Sequence, residues 1–182
     1  AIAEMDGVLR LCGIEPRQHS PLLYALATDN QAIDERLDRR GVRGRRIAVF
    51  CPLTRWPTKN WPLSEFVDLV KKLPEDFFVI FTGTASEQAL ISEAVTRLAP
   101  TRAASFAGCL SLPEYFALVS IAQLVVTGDS LPMHVASAYN RPLVALFGPT
   151  DESRVALRSE GSVVVRADTD CHRCYRRSYC PR

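Results

Sequence analysis

The chain has 182 residues, 47% hydrophobic and 23% charged, with a formal net charge of +2. This is ordinary globular material; it excludes disorder and collagen, and the length suits one domain with room for an appendage. The even charge balance gives no argument for a nucleic-acid partner. No apolar run reaches the roughly 18 residues of a membrane span; the best, Phe116 to Val126, is broken by Ser120 and Gln123.

The start shows no n-region, h-region and cleavage site, so no signal peptide is expected. An initial Ala rather than Met is expected of a processed chain or a piece of a longer one. Six cysteines in a chain with this much core do not form a small disulfide scaffold. Cys12, Cys51 and Cys109 sit among apolar neighbours and are expected to be buried, inert thiols. Charge is uneven locally: Glu35 to Arg46 holds six arginines against two acids, and the last dozen residues are basic.

In chain order, Ala1 to Cys12 fits an amphipathic helix stopped by Gly13. Asp29 to Arg40 fits another, with Ile33 and Leu37 on one face and Gly41 as its stop. A turn-rich, Pro-containing stretch joins them. Residues 1–45 therefore read as a linker or lead-in rather than a core unit. From Arg46 the pattern becomes regular. Ile47 to Cys51 is an apolar strand, Pro62 to Leu73 a helix, Phe77 to Thr82 a second strand and Ser86 to Leu98 a second helix of this series. Ala103 to Phe106 is the third strand. Ser111-Leu112-Pro113-Glu114 is a capping box opening a helix to about Ala122. Leu124 to Thr127 is strand four, Ser130 to Tyr139 a helix, Leu143 to Phe147 strand five and Ser162 to Arg166 a candidate sixth. Strands buried on both faces and alternating with helices predict an α/β fold: a Rossmann-like parallel sheet with helices on both faces, over residues 46–166. Residues 167–182 form a Cys-rich basic tail.

Ligands of open α/β sheets sit outside the carboxyl ends of the strands, at the switch point of the strand order. An order 3-2-1-4-5 makes strands one and four neighbours there, and places Lys59 opposite Asp129. Lys59 suits a phosphate as a point charge. The helix opening near Ser130 offers free N–H groups and a positive dipole end. There is no G-x-G-x-x-G and no G-x-x-x-x-G-K-[ST], so neither a standard dinucleotide fingerprint nor a P-loop is present. Each of these residues also has a plainly structural reading. Asp129 and Ser130 can cap a helix, and Lys59 can be a solvated loop lysine. His134 can be a satisfied core histidine. Glu87 can be a first-turn acid, and Trp56 and Trp61 can simply pack the loop onto the sheet.

Five segments at successive strand ends carry a resemblance. They are Thr58-Lys59-Asn60-Trp61-Pro62, Thr82-Gly83-Thr84-Ala85-Ser86-Glu87, Ala107-Gly108-Cys109-Leu110-Ser111-Leu112, Asp129 through His134 to Ala138, and Pro142 through Gly148-Pro149-Thr150. Together they resemble glycosyltransferase family 9, the ADP-heptose:lipopolysaccharide heptosyltransferases, from Arg46 to the C-terminus. The likeness is to the second, donor-binding domain of that two-domain GT-B fold. The resemblance implies that Thr58 and Lys59 lie at the donor diphosphate, with Glu87 on the ribose and the backbone near Leu110 along the adenine. It implies that Asp129, with the N–H groups of Ser130, Leu131 and Pro132, holds the phosphates and sugar end, near His134. The family glycine after D-[ST] is Leu131 here; a glycine would let backbone approach a phosphate closely.

In that fold the acceptor site and the catalytic base lie on the first domain, and residues 1–45 are too short to be it. The expectation is the donor-binding half of an inverting glycosyltransferase of lipopolysaccharide core biosynthesis, inactive without its acceptor domain. Its partners would be an ADP-sugar donor and a lipopolysaccharide core acceptor, with no cofactor, no metal for catalysis and no nucleic acid. Its place would be the cytoplasm, with possible peripheral contact to the inner membrane. The rival readings are a non-catalytic nucleotide-binding module, motivated by Leu131, and a metal-binding interaction module built on the tail. Cys171-His172-Arg173-Cys174 with Cys180 offers three thiols and one imidazole, where a structural zinc site takes four ligands. His172 lies directly between two cysteines and a second C-x-x-C pair is lacking, so a reduced tail, or a Cys171–Cys180 or Cys174–Cys180 disulfide formed in air, is expected before a metal site.

Overall fold

The computed structural model of the chain describes residues 2–16, 23–154, 160–166, 169, 171 and 173–180. Six short apolar runs form strands: β1 (Arg46–Cys51), β2 (Phe77–Phe81), β3 (Ala103–Ser105), β4 (Leu124–Gly128), β5 (Leu143–Phe147) and β6 (Val163–Arg166). All neighbouring pairs are parallel, in the order β3-β2-β1-β4-β5-β6. The candidate sixth strand is real and lies at an edge, exposed along its length. β2 is buried at every position, as a central strand covered on both faces must be.

Helices α1 (Ile2–Leu11), α2 (Ala27–Asp38), α3 (Leu63–Lys72), α4 (Gln88–Val95), α5 (Leu112–Ser120) and α6 (Leu131–Ala138) complete the fold. α3 and α4 connect β1 to β2 to β3 and put Phe66, Val70 and Ile91 on one face of the sheet. α5 and α6 cover the other face with Leu118, Val119, Met133 and Val135. The chain winds outward from β1 in one direction and from β4 in the other, which opens a crevice between their carboxyl ends.

Two expectations are corrected. Residues 1–45 are not wholly a lead-in, because α2 belongs to the core. Ile33, Leu37 and Val42 are buried in the same cluster as β1 and α5. Ile33 and Leu37 lie one turn apart and pack on α5, and Arg36 bridges to Glu114 of α5 at 2.9 Å. These two positions suffice because the facing α5 completes the packing around them. Of the three cysteines expected to be buried, only Cys51 is; Cys12 and Cys109 are exposed. Cys12 follows α1, whose Val8 and Leu11 are themselves exposed, and Cys109 follows Gly108, whose φ of 69° turns the chain outward.

Local signals are otherwise obeyed. Ser111 and Glu114 form the reciprocal capping box, with Glu114 N–H donating to Ser111 Oγ at 3.3 Å and Ser111 N–H donating to Glu114 Oε2 at 2.7 Å. That cap and the Arg36 guanidinium hold the Glu114 carboxyl below its usual range, the backbone bond first. The expected helix 86–98 begins instead with a 3-10 turn at Ala85–Glu87, because Thr84 and Glu87 make a second capping box there. No helix among the described residues is long and apolar enough to cross a membrane. Ala1, His172 and the middle of the stretch between α1 and α2 lie outside the described residues.

Candidate functional site

The loop after β1 folds on its own polar groups. Thr54 N–H donates to Asn60 Oδ1 at 2.8 Å, Thr54 Oγ1 donates to the Trp56 carbonyl at 3.0 Å, and Pro57–Lys59 closes a 3-10 turn. Two glycines let this turn lie flat on the sheet end. A Cβ at Gly148 would stand 2.9 Å from the Thr58 carbonyl oxygen, and one at Gly128 would stand 3.2 Å from the Lys59 carbonyl oxygen. Lys59 is thereby aimed across the mouth between β1 and β4.

There Lys59 Nζ meets Asp129 Oδ2 at 2.6 Å and the Asp129 carbonyl at 3.2 Å. Thr150, from the loop after β5, donates to the same carboxylate oxygen at 2.8 Å. Both charged side chains are 14% exposed. Lys59 also lies over the Trp56 ring, 4.4 Å from its centroid. The solvated-lysine reading is therefore wrong for Lys59, and Trp56 does more than pack, since its ring also carries the Arg177 guanidinium at 4.6 Å. Trp61 does pack, edge-on against Phe66. Cation, carboxylate and hydroxyl from three loops thus converge on one point, and the ammonium keeps donors that an incoming oxyanion can share.

Next to this point α6 begins. Ser130 is its N-cap, with extended backbone and no capping bond from its own side chain. Its hydroxyl lies 3.4 Å from Thr127 Oγ1 and from the Gly128 carbonyl. Pro132 cannot donate, because proline has no N–H, and Met133 N–H is used on the Ser130 carbonyl at 3.1 Å. Of the three N–H groups expected to serve an anion, only those of Ser130 and Leu131 exist. Leu131 has ordinary negative φ, and its side chain is 52% exposed. The backbone that a glycine would supply is therefore reached by leucine without strain. His134 is exposed on the second turn of α6, so it is not a core histidine.

Glu87 and Leu110 stand further along the same rim. Glu87 spends one oxygen on the Thr84 N–H at 2.7 Å. The loops after β2 and β3 are joined by Gly108 N–H donating to the Gly83 carbonyl at 3.0 Å. Leu110 packs against the core beside them. Among the described residues neither one hydrogen-bonds to Lys59 or Asp129, whose side-chain partners are each other and Thr150. They lie instead along a rim that runs past the ends of β3, β2, β1 and β4, three strand spacings or about 14 Å.

Sequence reasoning missed two features. Under the rim, Cys51 Sγ contacts Thr82 Oγ1 at 3.1 Å and Tyr115 Oη at 3.5 Å. Burial pushes the Cys51 thiol up to about 11 and raises the Tyr115 phenol as well. This cluster is a neutral floor, with no charge of its own at neutral pH. The tail is the second. Thr58 Oγ1 donates to the Arg176 carbonyl, Tyr175 N–H donates to the Pro149 carbonyl at 2.9 Å, and Arg173 pairs with Asp151 at 3.1 Å and Glu152 at 3.2 Å. The tail is thus strapped over the β1 and β5 loops, and no local pattern in a basic, Cys-rich segment announces that. Cys171, Cys174 and Cys180 are free thiols. Among the described residues they join no group of three or more metal-binding side chains.

The profile of glycosyltransferase family 9 (heptosyltransferase) matches residues 13–180. The chain is 34% identical over 134 residues to lipopolysaccharide heptosyltransferase 2 of Escherichia coli K12, covering 71% of this chain and 38% of that protein. It is 30% identical over 159 residues to lipooligosaccharide heptosyltransferase 2 of Haemophilus influenzae, covering 84% of this chain and 43% of that one. Among solved structures, the E. coli ADP-heptose lps heptosyltransferase II superposes with a TM-score of 0.71 at 28% identity, over 84% of this chain and 47% of that one. A glycosyl transferase family 9 structure from Veillonella parvula superposes at 0.79, with 21% identity over 88% and 47% of the two chains, a likeness of fold. The chain spans less than half the length of these relatives. With a profile match over nearly its whole length and a sheet that superposes on the family's own, the chain belongs to glycosyltransferase family 9.

Proposed function

We propose that the chain is the donor-binding half of a heptosyltransferase of lipopolysaccharide core assembly, taking an ADP-heptose-type nucleotide sugar. The observation that carries this reading is the convergence of Lys59 with the α6 N-terminus at the mouth between β1 and β4. A diphosphate there receives one ammonium and the Ser130 and Leu131 N–H groups. The rest of an extended nucleotide fits the 14 Å rim toward Glu87 and Leu110. Lys59 then shifts from Asp129 toward the phosphates, and Asp129, still held by Thr150, is left to accept hydrogen bonds from sugar hydroxyls near His134.

In the proposed reaction an acceptor hydroxyl attacks the anomeric carbon. The bond from that carbon to the diphosphate oxygen breaks, and ADP leaves with the electron pair. The hydroxyl proton passes to a base on the acceptor-binding half. No metal is required where a lysine and a helix end stabilise the leaving group. The lipopolysaccharide acceptor, dependence on the other half, and a cytoplasmic site of action beside the inner membrane belong to the same proposal.

Calorimetric titration with ADP tests it. The parent chain binds, and Lys59→Ala weakens binding by about 1.5–3 kcal/mol, as for a charged hydrogen bond. Equal affinity in the two proteins, or no binding to the parent, overturns the assignment. The chain alone shows no glycosyl transfer; measurable turnover would overturn the division of labour.

A further inference from the structure

The arginine run at residues 36–46 takes no part in the reading above. Part of it lines a cavity of about 390 Å³ at the far edge of the sheet, formed by Arg36, Arg39 and Arg40 of α2 and its end with Ser105, Phe106 and Cys109 after β3. β2 and β1 separate this edge from the Lys59 crevice. We propose that this cavity is a second anion site, which binds a phosphate group.

All three arginines line the cavity; hydrogen bonds hold Arg36 and Arg39, and a ring contact holds Arg40. Arg36 is fixed by Glu114 at 2.9 Å. Arg39 Nε donates to the Glu35 carbonyl at 3.2 Å, which leaves its two terminal nitrogens. Arg40 stacks 5.2 Å from the centroid of Phe106, which orients the fork while making no hydrogen bond of its own to it. Neither Arg39 nor Arg40 pairs with a carboxylate among the described residues. Two uncompensated, pre-oriented forks around one space match the planar bidentate geometry of a phosphate oxygen pair.

A hydroxyl completes the set. Ser105 Oγ accepts from Ser92 Oγ at 3.1 Å and from Ala107 N–H at 3.4 Å, so its own proton is left to donate. Among the described residues the cavity is lined by donors and a ring, with no acidic side chain, which favours an anion over a cation as its ligand. It offers a single aromatic ring, already covered by Arg40, so it lacks the stacking platform that a nucleic-acid strand uses. The shared chemistry is a phosphate monoester or diester head, supplied by a soluble phosphate or by the headgroup of an anionic lipid.

Cys109 is an exposed thiol in the cavity wall and reports occupancy directly. The full chain is alkylated with N-ethylmaleimide, with and without inorganic phosphate at matched ionic strength in chloride. Modification of each cysteine is followed by peptide mass spectrometry. Phosphate slows alkylation of Cys109 at least five-fold while leaving Cys12 unchanged. The double variant Arg39→Gln/Arg40→Gln, at exposed positions that leave the core intact, loses the protection, whereas Lys59→Ala keeps it. Sedimentation with phosphatidylglycerol vesicles, against phosphatidylcholine alone, separates the sources. Co-sedimentation lost in the double variant assigns a lipid headgroup, and protection without co-sedimentation assigns a soluble phosphate. No protection of Cys109 by either phosphate or vesicles, or equal protection in the double variant, overturns the proposal. Because Lys59→Ala and the double variant are read separately, failure here leaves the donor-site reading intact, and the reverse holds too.

Discussion

If the Lys59–Asp129 pair organises the crevice, removing both partners should cost little more than removing one. The nitrogen and oxygen are 2.6 Å apart and each side chain is 14% exposed. An exposed pair would couple by less than about 1 kcal/mol, and truncating one member of a fully buried pair costs about 3–5 kcal/mol. The position lies between these limits. Lys59→Ala leaves Asp129 with only the Thr150 hydroxyl, and Asp129→Ala leaves Lys59 with only a carbonyl and the Trp56 ring. Each single variant should lose about 2 kcal/mol, with Tm falling by roughly 4–8 °C for a chain of this size. The double variant should lose about the same, because no unpaired charge remains. Urea denaturation of the four proteins, with m-values compared, gives the coupling energy. Strictly additive losses, with coupling under about 0.5 kcal/mol, would refute the reasoning and return both residues to the solvated state.

Leu131→Gly should leave ADP affinity within about two-fold of the parent by calorimetry, since the leucine is exposed and its φ already negative; the substitution should cost only about 0.5–1 kcal/mol of stability from helix propensity. Gly148→Ala should displace the Thr58–Lys59 turn, because the new Cβ meets a backbone oxygen at 2.9 Å. A loss of about 1–3 kcal/mol in urea, with weakened ADP binding, is the expected result; parental behaviour in both assays would mean that the turn is not held by that contact. Glu114 has a depressed carboxyl pKa, so its cap and its bridge to Arg36 stabilise the fold above the pKa of the unfolded chain and fade as pH falls through the folded value. Glu114→Gln should therefore be about 1 kcal/mol less stable than the parent at pH 7, with the gap closing below about pH 4.5 in acid denaturation.

The strands, their parallel sense and the order around the switch were legible in the sequence because period, length and punctuation agree at each one. Phe77 to Phe81 is apolar at every position and too short for a helix. Ser111 with Glu114, and Gly41 and Asn140 as stops, mark helix ends by chemistry that acts within one turn. The loops at the strand ends were legible for the same reason: Asp129 follows β4 directly, and Lys59 lies in the loop between β1 and α3.

What tertiary structure alone decided depends on partners distant in sequence. Ile33 and Leu37 become core because α5 faces them, 78 residues away at the Arg36–Glu114 bridge. Lys59 is held by Asp129 and Thr150 because Gly128 and Gly148 let the turn settle on two strand ends at once. Cys109 is exposed because Gly108 turns with positive φ, which a count of apolar neighbours does not register. Arg39 and Arg40 look like solvated charges in a linker, and only the packing of α2 beside β3 gives them a shared cavity. Side-chain chemistry near one residue is written in its neighbours along the chain; a charge's partner, or its lack of one, is set by which elements the core brings together.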